Sequence, residues 1–320
     1  MDIKTLARDI QRETEKVIVG KGDRIRLIIM AVLANGHVLL DDLPGVGKTT
    51  LVKAISLALG CRAGRIQFVP DMLPSDIIGM KIFNQKTGDF ELRQGPVMTN
   101  ILLADEINRA IPRTQSALLE AMEERQISID GEHFPLPAPF LVLATQNPVE
   151  SESTFRLPAA QMDRFLIRLS MGYPTPEEEM RMLSVLGDEI PFGEIRAVTG
   201  EQELVQAQQE IAAVHVSEHV AAYIVALADA TRSHPQLVMG ASPRATRGLY
   251  RAAKVWAAMD GRDYATPDDV KALAHPVLEH RVMLDSGARF SGYTAAKAID
   301  DILEKTEAVP PAEELLHEKR

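Results

Sequence analysis

The stretch "PGVGKTT" combines the residue types that bind a nucleotide phosphate. Gly45 and Gly47 allow the backbone to approach a phosphate closely, and Lys48 supplies a positive charge. Thr49 supplies the hydroxyl that Mg²⁺ takes beside the β- and γ-phosphates. The pattern predicts a phosphate-binding loop; the alternative is a glycine-rich turn between a strand and a helix that carries an incidental lysine.

The same stretch departs from the pattern G-x-x-x-x-G-K-[ST] at its first position. Asp42 stands where the first glycine belongs. Position 42 lies at the end of the preceding apolar run, before the residues that wrap a phosphate. We therefore expect the Asp42 carboxylate to point away from the phosphates.

Two further apolar runs end in polar residues. "ILLADE" ends in Asp105, which suits a Mg²⁺ shell, and Glu106, which suits polarisation of a water for in-line attack. "FLVLATQNP" ends at Asn147, which suits orientation of that water. The alternatives are an exposed acidic turn and an Asn-Pro turn that only ends a strand.

Arginines complete the chemistry, because transfer of a γ-phosphoryl group develops charge that a guanidinium stabilises. The candidates are Arg156, Arg164, Arg168, Arg244 and Arg247. A single arginine more often forms a surface ion pair, so spacing alone does not choose among them.

The stretch "HVSEH" matches the H-x-x-E-H pattern of zinc proteases. That chemistry needs both histidines on one helical face, whereas Ser217 is a favourable N-cap that leaves His215 before the helix. No third ligand stands nearby in sequence. We therefore interpret His215 and His219 as surface or interdomain residues.

Near-continuous apolar runs alternate with helical patterns in the first half of the chain, which is typical of strands buried on both faces of a parallel sheet. One helical pattern follows the glycines and closes at Gly60, and another covers residues 112–125. The spacing predicts an α/β domain with a doubly wound five-stranded parallel sheet. Its strands are expected at 37–42, 65–69, 101–106, 140–146 and 165–171.

Two polar-tipped segments interrupt this alternation and are predicted to be β-hairpins. The first covers residues 80–97 and turns at "KTGD"; the second covers 127–136 and turns at Asp130-Gly131.

From Glu177 onward the periodicity is helical, with no convincing strand, and Thr266 is a favourable N-cap. We predict an α/β domain over residues 1–175 and an all-α domain over 176–307. A flexible tail is expected over 308–320.

Composition describes a globular protein that is not broadly suited to nucleic acid. Its 320 residues include 45 acidic and 35 basic side chains, for a net charge of −10, which disfavours phosphate-backbone binding. A single cysteine, Cys61, excludes an internal disulfide framework. The N-terminus lacks the apolar segment of a secretory signal and the apolar runs are too short to span a bilayer, so we expect a cytoplasmic protein.

Six blocks of the sequence together resemble the MoxR group of AAA+ ATPases, between about residue 14 and about residue 283. They are "IVGKGDRI", "LLDDLPGVGKTTLVKAIS", "RIQFVPDMLPSDIIG", "NILLADEINRAIPRTQSALLEAMEERQISIDG", "FLVLATQNPVESESTFRLPAAQMDRFLIRL" and "GASPRATRGLYRAAK". The resemblance implies an AAA+ core followed by a helical lid. It also implies that the two hairpins are the helix 2 insert and the insert before sensor 1, and an acidic residue at position 42 is typical of the group.

The resemblance implies roles for residues at matched positions. Val19 and Gly20 lie in the segment that lines the adenine pocket, although Lys21 stands where the group commonly has glutamine. The Walker A residues that hold ATP are Gly45, Val46, Gly47, Lys48, Thr49 and Thr50. Walker B is Asp105, which with Thr49 holds Mg²⁺, and the catalytic Glu106.

The resemblance also assigns the sensors and the arginine finger. Asn147 matches sensor 1, and Arg244 in "SPRA" matches sensor 2, which reads the γ-phosphate from the helical lid. Arg164 in "MDRF" is the expected arginine finger, with Arg156 and Arg168 as alternatives. A finger that acts on a neighbouring subunit implies a ring, and the group implies a hexamer.

The implied function is a Mg²⁺-dependent ATPase that remodels or matures a client protein or inserts a metal cofactor, together with a von Willebrand factor A domain partner. The alternative is a nucleic-acid motor, which would need basic and aromatic residues on the inserts. Those present are Lys81, Phe83, Lys86, Arg93, His133 and Phe134. A third interpretation is a nucleotide-gated binding scaffold without catalysis.

Overall fold

The computed structural model describes residues 1–41, 45–146, 155–187 and 189–308. Asp42 and Asn147 lie outside these described residues, so their predicted roles stay predictions. The chain packs as two compact units. The first comprises Thr5–Phe165 and Leu169–Gln208, and the second comprises Met1–Lys4, Leu166–Arg168 and the described residues from Gln209 onward.

The elements of the first half alternate between helix and strand as the apolar runs predict. In chain order they are α1 (Ile3–Glu15), α2 (Gly22–Leu33), β1 (Val38–Asp41), α3 (Lys48–Ala58), β2 (Ala63–Gln67), α4 (Pro74–Ile78), β3 (Gly79–Asn84) and β4 (Asp89–Gln94). There follow β5 (Ile101–Asp105), α5 (Pro112–Glu124), β6 (Gln126–Ile129), β7 (Glu132–Pro135), β8 (Leu141–Gln146), α6 (Ala159–Met162), β9 (Ile167–Leu169) and α7 (Pro176–Leu186).

Among the described residues, five strands form one sheet in the order β2-β5-β8-β1-β9, which confirms the predicted α/β fold. The pairs β2–β5, β5–β8 and β1–β8 are parallel. Strands β5 and β8 are buried over nearly their whole length, as continuous apolar runs require. Leu39, Leu102, Leu118 and Phe165 belong to one core cluster that packs helix α5 against the sheet.

Both predicted hairpins form. In the first, β3 pairs with β4 and Phe83 stands opposite Phe90. In the second, β6 pairs with β7 around Asp130 and Gly131, whose φ angles of 50° and 83° suit a tight turn.

The remaining elements are α8 (Glu201–Ile211), α9 (Glu218–Ser233), β10 (Leu237–Met239), α10 (Pro243–Met259), α11 (Pro267–Leu278), β11 (Met283–Leu284), α12 (Ser286–Phe290) and α13 (Ala295–Lys305). The described part of the chain after Glu177 is thus mainly helical, as predicted, and α8 is divided between the two units. Ser217 caps α9 by accepting from the Val220 amide, so His215 does precede the helix, and Thr266 caps α11.

The expectation of no strand after Glu177 is wrong in one detail. Strands β10 and β11 form a two-stranded antiparallel ribbon in which Leu237 pairs with Leu284 and Met239 with Met283. Strands of three and two residues are too short to show a period of two, so the sequence pattern does not reveal them.

The compact units and the predicted domains divide the chain differently, because the segment 169–208 groups with the first unit. Compactness alone does not fix where a domain begins. The predicted boundary at residue 175 therefore stays a prediction.

No helix among the described residues is long and apolar enough to cross a membrane.

Candidate functional site

The phosphate loop, residues 45–49, begins α3 in the conformation that its glycines permit. Gly45 and Gly47 have φ angles of +87° and +82°, a left-handed backbone that residues with a Cβ atom rarely adopt. A Cβ atom added at either position would meet nothing within 4 Å among the described atoms, so backbone conformation, not crowding, explains the two glycines. Gly47 is the N-cap residue of α3, and Lys48 and Thr49 open the helix. First-turn amides of a helix suit phosphate oxygens.

The sheet order places the candidate residues at the carboxyl ends of the parallel strands, which together form one edge of the sheet. Asp41 at the end of β1 pairs with Gln146 at the end of β8, and Gln67 at the end of β2 pairs with Asp105 at the end of β5. Parallel strands that end in register place the residues that follow them along the same edge, where ligands of open α/β sheets bind.

Thr145 holds the two candidate carboxylate residues in place. Its Oγ1 donates to Asp105 Oδ1 at 2.7 Å and accepts the Glu106 amide at 2.8 Å. Thr145 is fully buried, and it lies on β8, the strand beside β5. One hydroxyl therefore fixes both the side chain of Asp105 and the backbone that presents Glu106.

Glu106 has a left-handed backbone, with φ 56° and ψ 49°. That conformation costs on the order of 1–3 kcal/mol for a residue other than glycine and clusters at functional sites. The Glu106 carboxylate accepts from Gln67 Nε2 at 2.9 Å and pairs with Arg109 at 3.1 Å. The negative charge of Glu106 is therefore stabilised by a hydrogen bond from Gln67 and an ion pair with Arg109.

The Asp105 carboxylate has a cationic partner of its own. Arg65 Nη2 donates to Asp105 Oδ2 at 2.8 Å and to Gln67 Oε1 at 2.9 Å. The Asp105 side chain is 12% exposed and that of Arg65 51%. This arrangement satisfies the rule that a buried carboxylate needs a positive partner.

The predicted adenine segment is anchored within the first unit. Val19 is buried, and Gly20 has a φ of +76° with the Glu178 side chain packed where a Cβ atom would stand. Lys21 Nζ donates to the Tyr173 carbonyl at 3.1 Å and lies 3.5 Å from Glu178 Oε2. The Thr175 amide donates to the Glu178 carboxylate and, with Lys21, holds the pKa of Glu178 below its usual value. Lys21 thus ties the segment to the start of α7.

The candidate arginines occupy different surroundings. Arg164 donates to the Leu119 carbonyl at 2.7 Å and pairs with Glu123 at 3.0 Å, both on α5. Arg156 is exposed, and Arg168 lies on β9, as the strand prediction requires. Arg244 and Arg247 lie on α10 of the second unit and are exposed.

The residues at the sheet edge fit a nucleotide phosphate and Mg²⁺. Gln146 Nε2 is a buried donor without a partner among the described residues, and it ends the strand beside β1. Thr49 and Asp105 would supply the hydroxyl and carboxylate oxygens that Mg²⁺ prefers, and such sites need only one or two carboxylates because phosphate and water complete them.

Four residues of this site escape the sequence patterns: Arg65, Gln67, Arg109 and Thr145. The only signal for the first two is that they alternate within "RIQF", which places both on one face of β2. The i,i+3 spacing of Glu106 and Arg109 is a weak signal for their pair.

Replacement of Thr145 by valine tests the role of its hydroxyl. Thr145→Val keeps the shape but leaves the Glu106 amide and one Asp105 oxygen without their partner. The free energy of unfolding, measured by denaturant titration, is expected to fall by about 2–4 kcal/mol. Thr145→Ser, which keeps the hydroxyl, is the control, and equal stability of the two variants would contradict the role assigned here.

Comparisons with known proteins agree on a family. Residues 37–167 match the family described as "ATPase family associated with various cellular activities (AAA)", and residues 229–302 match the AAA lid domain. The chain is 46% identical over 302 residues to YeaC of Bacillus subtilis, a protein without assigned function, with 94% of each chain covered. It is 42% identical to the chaperone MoxR1 of Mycobacterium tuberculosis, covering 97% of this chain and 83% of that protein. A Cytophaga hutchinsonii structure described as a candidate ATPase superposes with a TM-score of 0.90 at 37% identity over 96% of both chains. The chain therefore belongs to the MoxR family of AAA+ ATPases.

Proposed function

We propose that the protein is a Mg²⁺-dependent ATPase that couples ATP hydrolysis to remodelling of a client protein. One observation carries the catalytic part: Asp105 and a left-handed Glu106 stand side by side at the edge of the sheet where β1 leads toward the phosphate loop. Family membership supports the nucleotide, and the name of the MoxR1 relative supports a chaperone role.

Binding is proposed to begin at the phosphate loop. The amides at the start of α3 and the Lys48 ammonium would hold the β- and γ-phosphates. Thr49 and Asp105 would hold Mg²⁺, which when bound neutralises charge on those phosphates. Val19, Gly20, Val46 and Thr50 keep their proposed places around the nucleotide, and Arg244 keeps the sensor 2 role.

Glu106 is proposed as the residue that polarises the attacking water. Gln67 and Arg109 both contact its Oε2, so Oε1 is the oxygen proposed to accept a hydrogen bond from the water. Asn147 is proposed to orient the same water.

Assembly supplies the remaining part of the proposal. We propose a hexameric ring in which Arg164 acts on the nucleotide of the neighbouring subunit. The pairing of Arg164 with α5 would hold the guanidinium in a defined place at the end of that helix. We further propose that the protein is cytoplasmic and acts with a partner that carries a von Willebrand factor A domain. Insertion of a metal cofactor is proposed as one form of client maturation.

The geometry of the inserts weighs against the nucleic-acid alternative. Lys81, one of the basic residues on the first hairpin, pairs with Glu132 of the second hairpin at 2.5 Å. The tip of the first hairpin instead exposes Phe83 and Phe90, whose ring centroids lie 5.3 Å apart. These two rings form a small apolar patch of the kind that contacts protein chains. Bases of a single strand can also stack on aromatic rings, so the paired Lys81 and the net charge of −10 carry the argument against nucleic acid.

Two substitutions separate nucleotide binding from hydrolysis. Glu106→Gln is expected to bind ATP but lose turnover by about 10²–10⁴-fold, because the amide cannot accept a proton from water. Lys48→Ala is expected to lose binding. Steady-state phosphate release and binding of a fluorescent ATP analogue measure the two effects, with exposed Glu124→Gln as the control. Normal cellular function of Glu106→Gln beside complete loss in Lys48→Ala would favour a scaffold instead.

The arginine finger can be tested by mixing subunits. Arg164→Ala alone is expected to lose turnover by roughly 10³-fold while it still binds ATP. Assemblies mixed from Arg164→Ala and Lys48→Ala subunits should regain part of the turnover, because an Arg164→Ala subunit that lies beside a Lys48→Ala subunit has an intact nucleotide site and a neighbour with an intact arginine. Normal hydrolysis by Arg164→Ala, or no recovery on mixing, would move the finger to Arg156 or Arg168.

Nucleic acid is expected to leave ATP turnover unchanged. The net charge of −10 and the paired Lys81 offer little attraction to a phosphate backbone. Turnover is measured at low salt with single-stranded DNA, double-stranded DNA and polyglutamate, a polyanion without bases. Clear stimulation by DNA but not by polyglutamate would support the nucleic-acid motor.

A further inference from the structure

Arg65 occupies the oxygen of Asp105 that Thr145 leaves available. Thr145 donates to Oδ1 at 2.7 Å, and Arg65 donates to Oδ2 at 2.8 Å. Both partners lie on strands that flank β5, so the carboxylate is held from two sides. A metal ion bound at Oδ2 would therefore compete with the guanidinium for that oxygen.

We propose that Arg65 is a positioning residue that stands in for the metal: its guanidinium neutralises Asp105 in the nucleotide-free protein and leaves Oδ2 when Mg²⁺ arrives with the nucleotide. This inference rests on the proposed function, because it assigns to Asp105 a metal to hold. The inference adds that a side chain of the same protein, Arg65, competes with the metal for the Asp105 carboxylate.

The burial of the two side chains favours exchange over a permanent ion pair. Asp105 is 12% exposed and would be left as a nearly buried, unpaired charge if no cation replaced Arg65. Arg65 is 51% exposed on β2, an edge strand, so water can solvate its guanidinium after it leaves. Replacement of Arg65 by a metal ion would thus expose the guanidinium to water and leave the Asp105 carboxylate paired with a cation.

A relay connects the same arginine to the catalytic glutamate. Arg65 Nη2 donates to Gln67 Oε1 at 2.9 Å, while Gln67 Nε2 donates to Glu106 Oε2 at 2.9 Å. The amide of Gln67 is therefore oriented by Arg65 on one side and by Glu106 on the other. Departure of Arg65 removes one of these constraints, which couples the arrival of the metal to the freedom of Glu106.

The test measures metal affinity with Mn²⁺ as the probe, by electron paramagnetic resonance, on the full chain with saturating ADP. Arg65→Gln and Arg65→Met remove the competing charge beside Asp105, so each is expected to tighten Mn²⁺ binding by about five- to tenfold. Asp105→Asn should weaken it. Arg62→Gln is the matched control, because it removes the same charge from an exposed arginine whose partner, Glu201, lies 3.7 Å away.

A second measurement follows thermal stability. In the presence of EDTA, Arg65→Gln should melt below the wild-type protein because Asp105 has lost its cation, and Mn²⁺ with ADP should raise the melting temperature of the variant more than that of the wild type. A merely structural pairing would lower the melting temperature of the variant equally in both conditions.

The outcomes separate this inference from the function on which it rests. Unchanged or weaker Mn²⁺ binding in both Arg65 variants, with normal binding by the wild type, would overturn the role of Arg65 alone. A wild-type protein that binds neither ADP nor Mn²⁺ would overturn the proposed function and the inference with it. Tightening in both Arg65 variants but not in Arg62→Gln supports the inference.

Discussion

The site depends on stabilising the negative charge of Asp105, whose side chain is only 12% exposed. An isolated carboxylate in such surroundings would lose much of its hydration, so a hydrogen-bond donor and a cation must compensate for it. Thr145 and Arg65 supply them from the two strands that flank β5. The strand order β2-β5-β8 is therefore an electrostatic requirement of the site as much as a feature of the fold.

The same hydroxyl that satisfies Asp105 also presents Glu106. Thr145 accepts the Glu106 amide at the point where the chain turns into a left-handed conformation directly after β5. Gln115, which is fully buried on α5, donates to the carbonyls of Ile107 and Ala110 just beyond the turn. Hydrogen bonds on both sides thus offset the backbone strain at Glu106, and a rigid support of this kind is what a precisely aimed carboxylate needs.

Local patterns in the sequence predict the sheet strands, the phosphate loop and both hairpins, because each depends on apolar runs, glycines or turn residues within a few positions. The partners of the carboxylates could not be predicted in this way. Arg65 and Gln67 meet Asp105 and Glu106 because β2 lies beside β5, although Arg65 is 40 residues from Asp105 and Gln67 is 39 residues from Glu106 in the sequence. Within "RIQFV" the apolar residues predict a strand, while the polar ones carry no signal of their neighbours. The ribbon of β10 and β11 could not be predicted for a different reason: its strands are too short to show the alternation of apolar and polar residues.

Two adjacent carboxylates at one edge would repel each other, and the structure gives each its own arginine. Arg65 pairs with Asp105 from the neighbouring strand, whereas Arg109 pairs with Glu106 from the turn that follows it. The two arginines are not equivalent, because Arg109 is bound to the same short turn as its partner and moves with it. Arg65 belongs to an edge strand and is half exposed, so it can leave without disturbing the turn. Gln67 joins the side chains of the two pairs, and Thr145 joins Asp105 to the Glu106 amide, so a change at Asp105 reaches Glu106 through two hydrogen-bonded links.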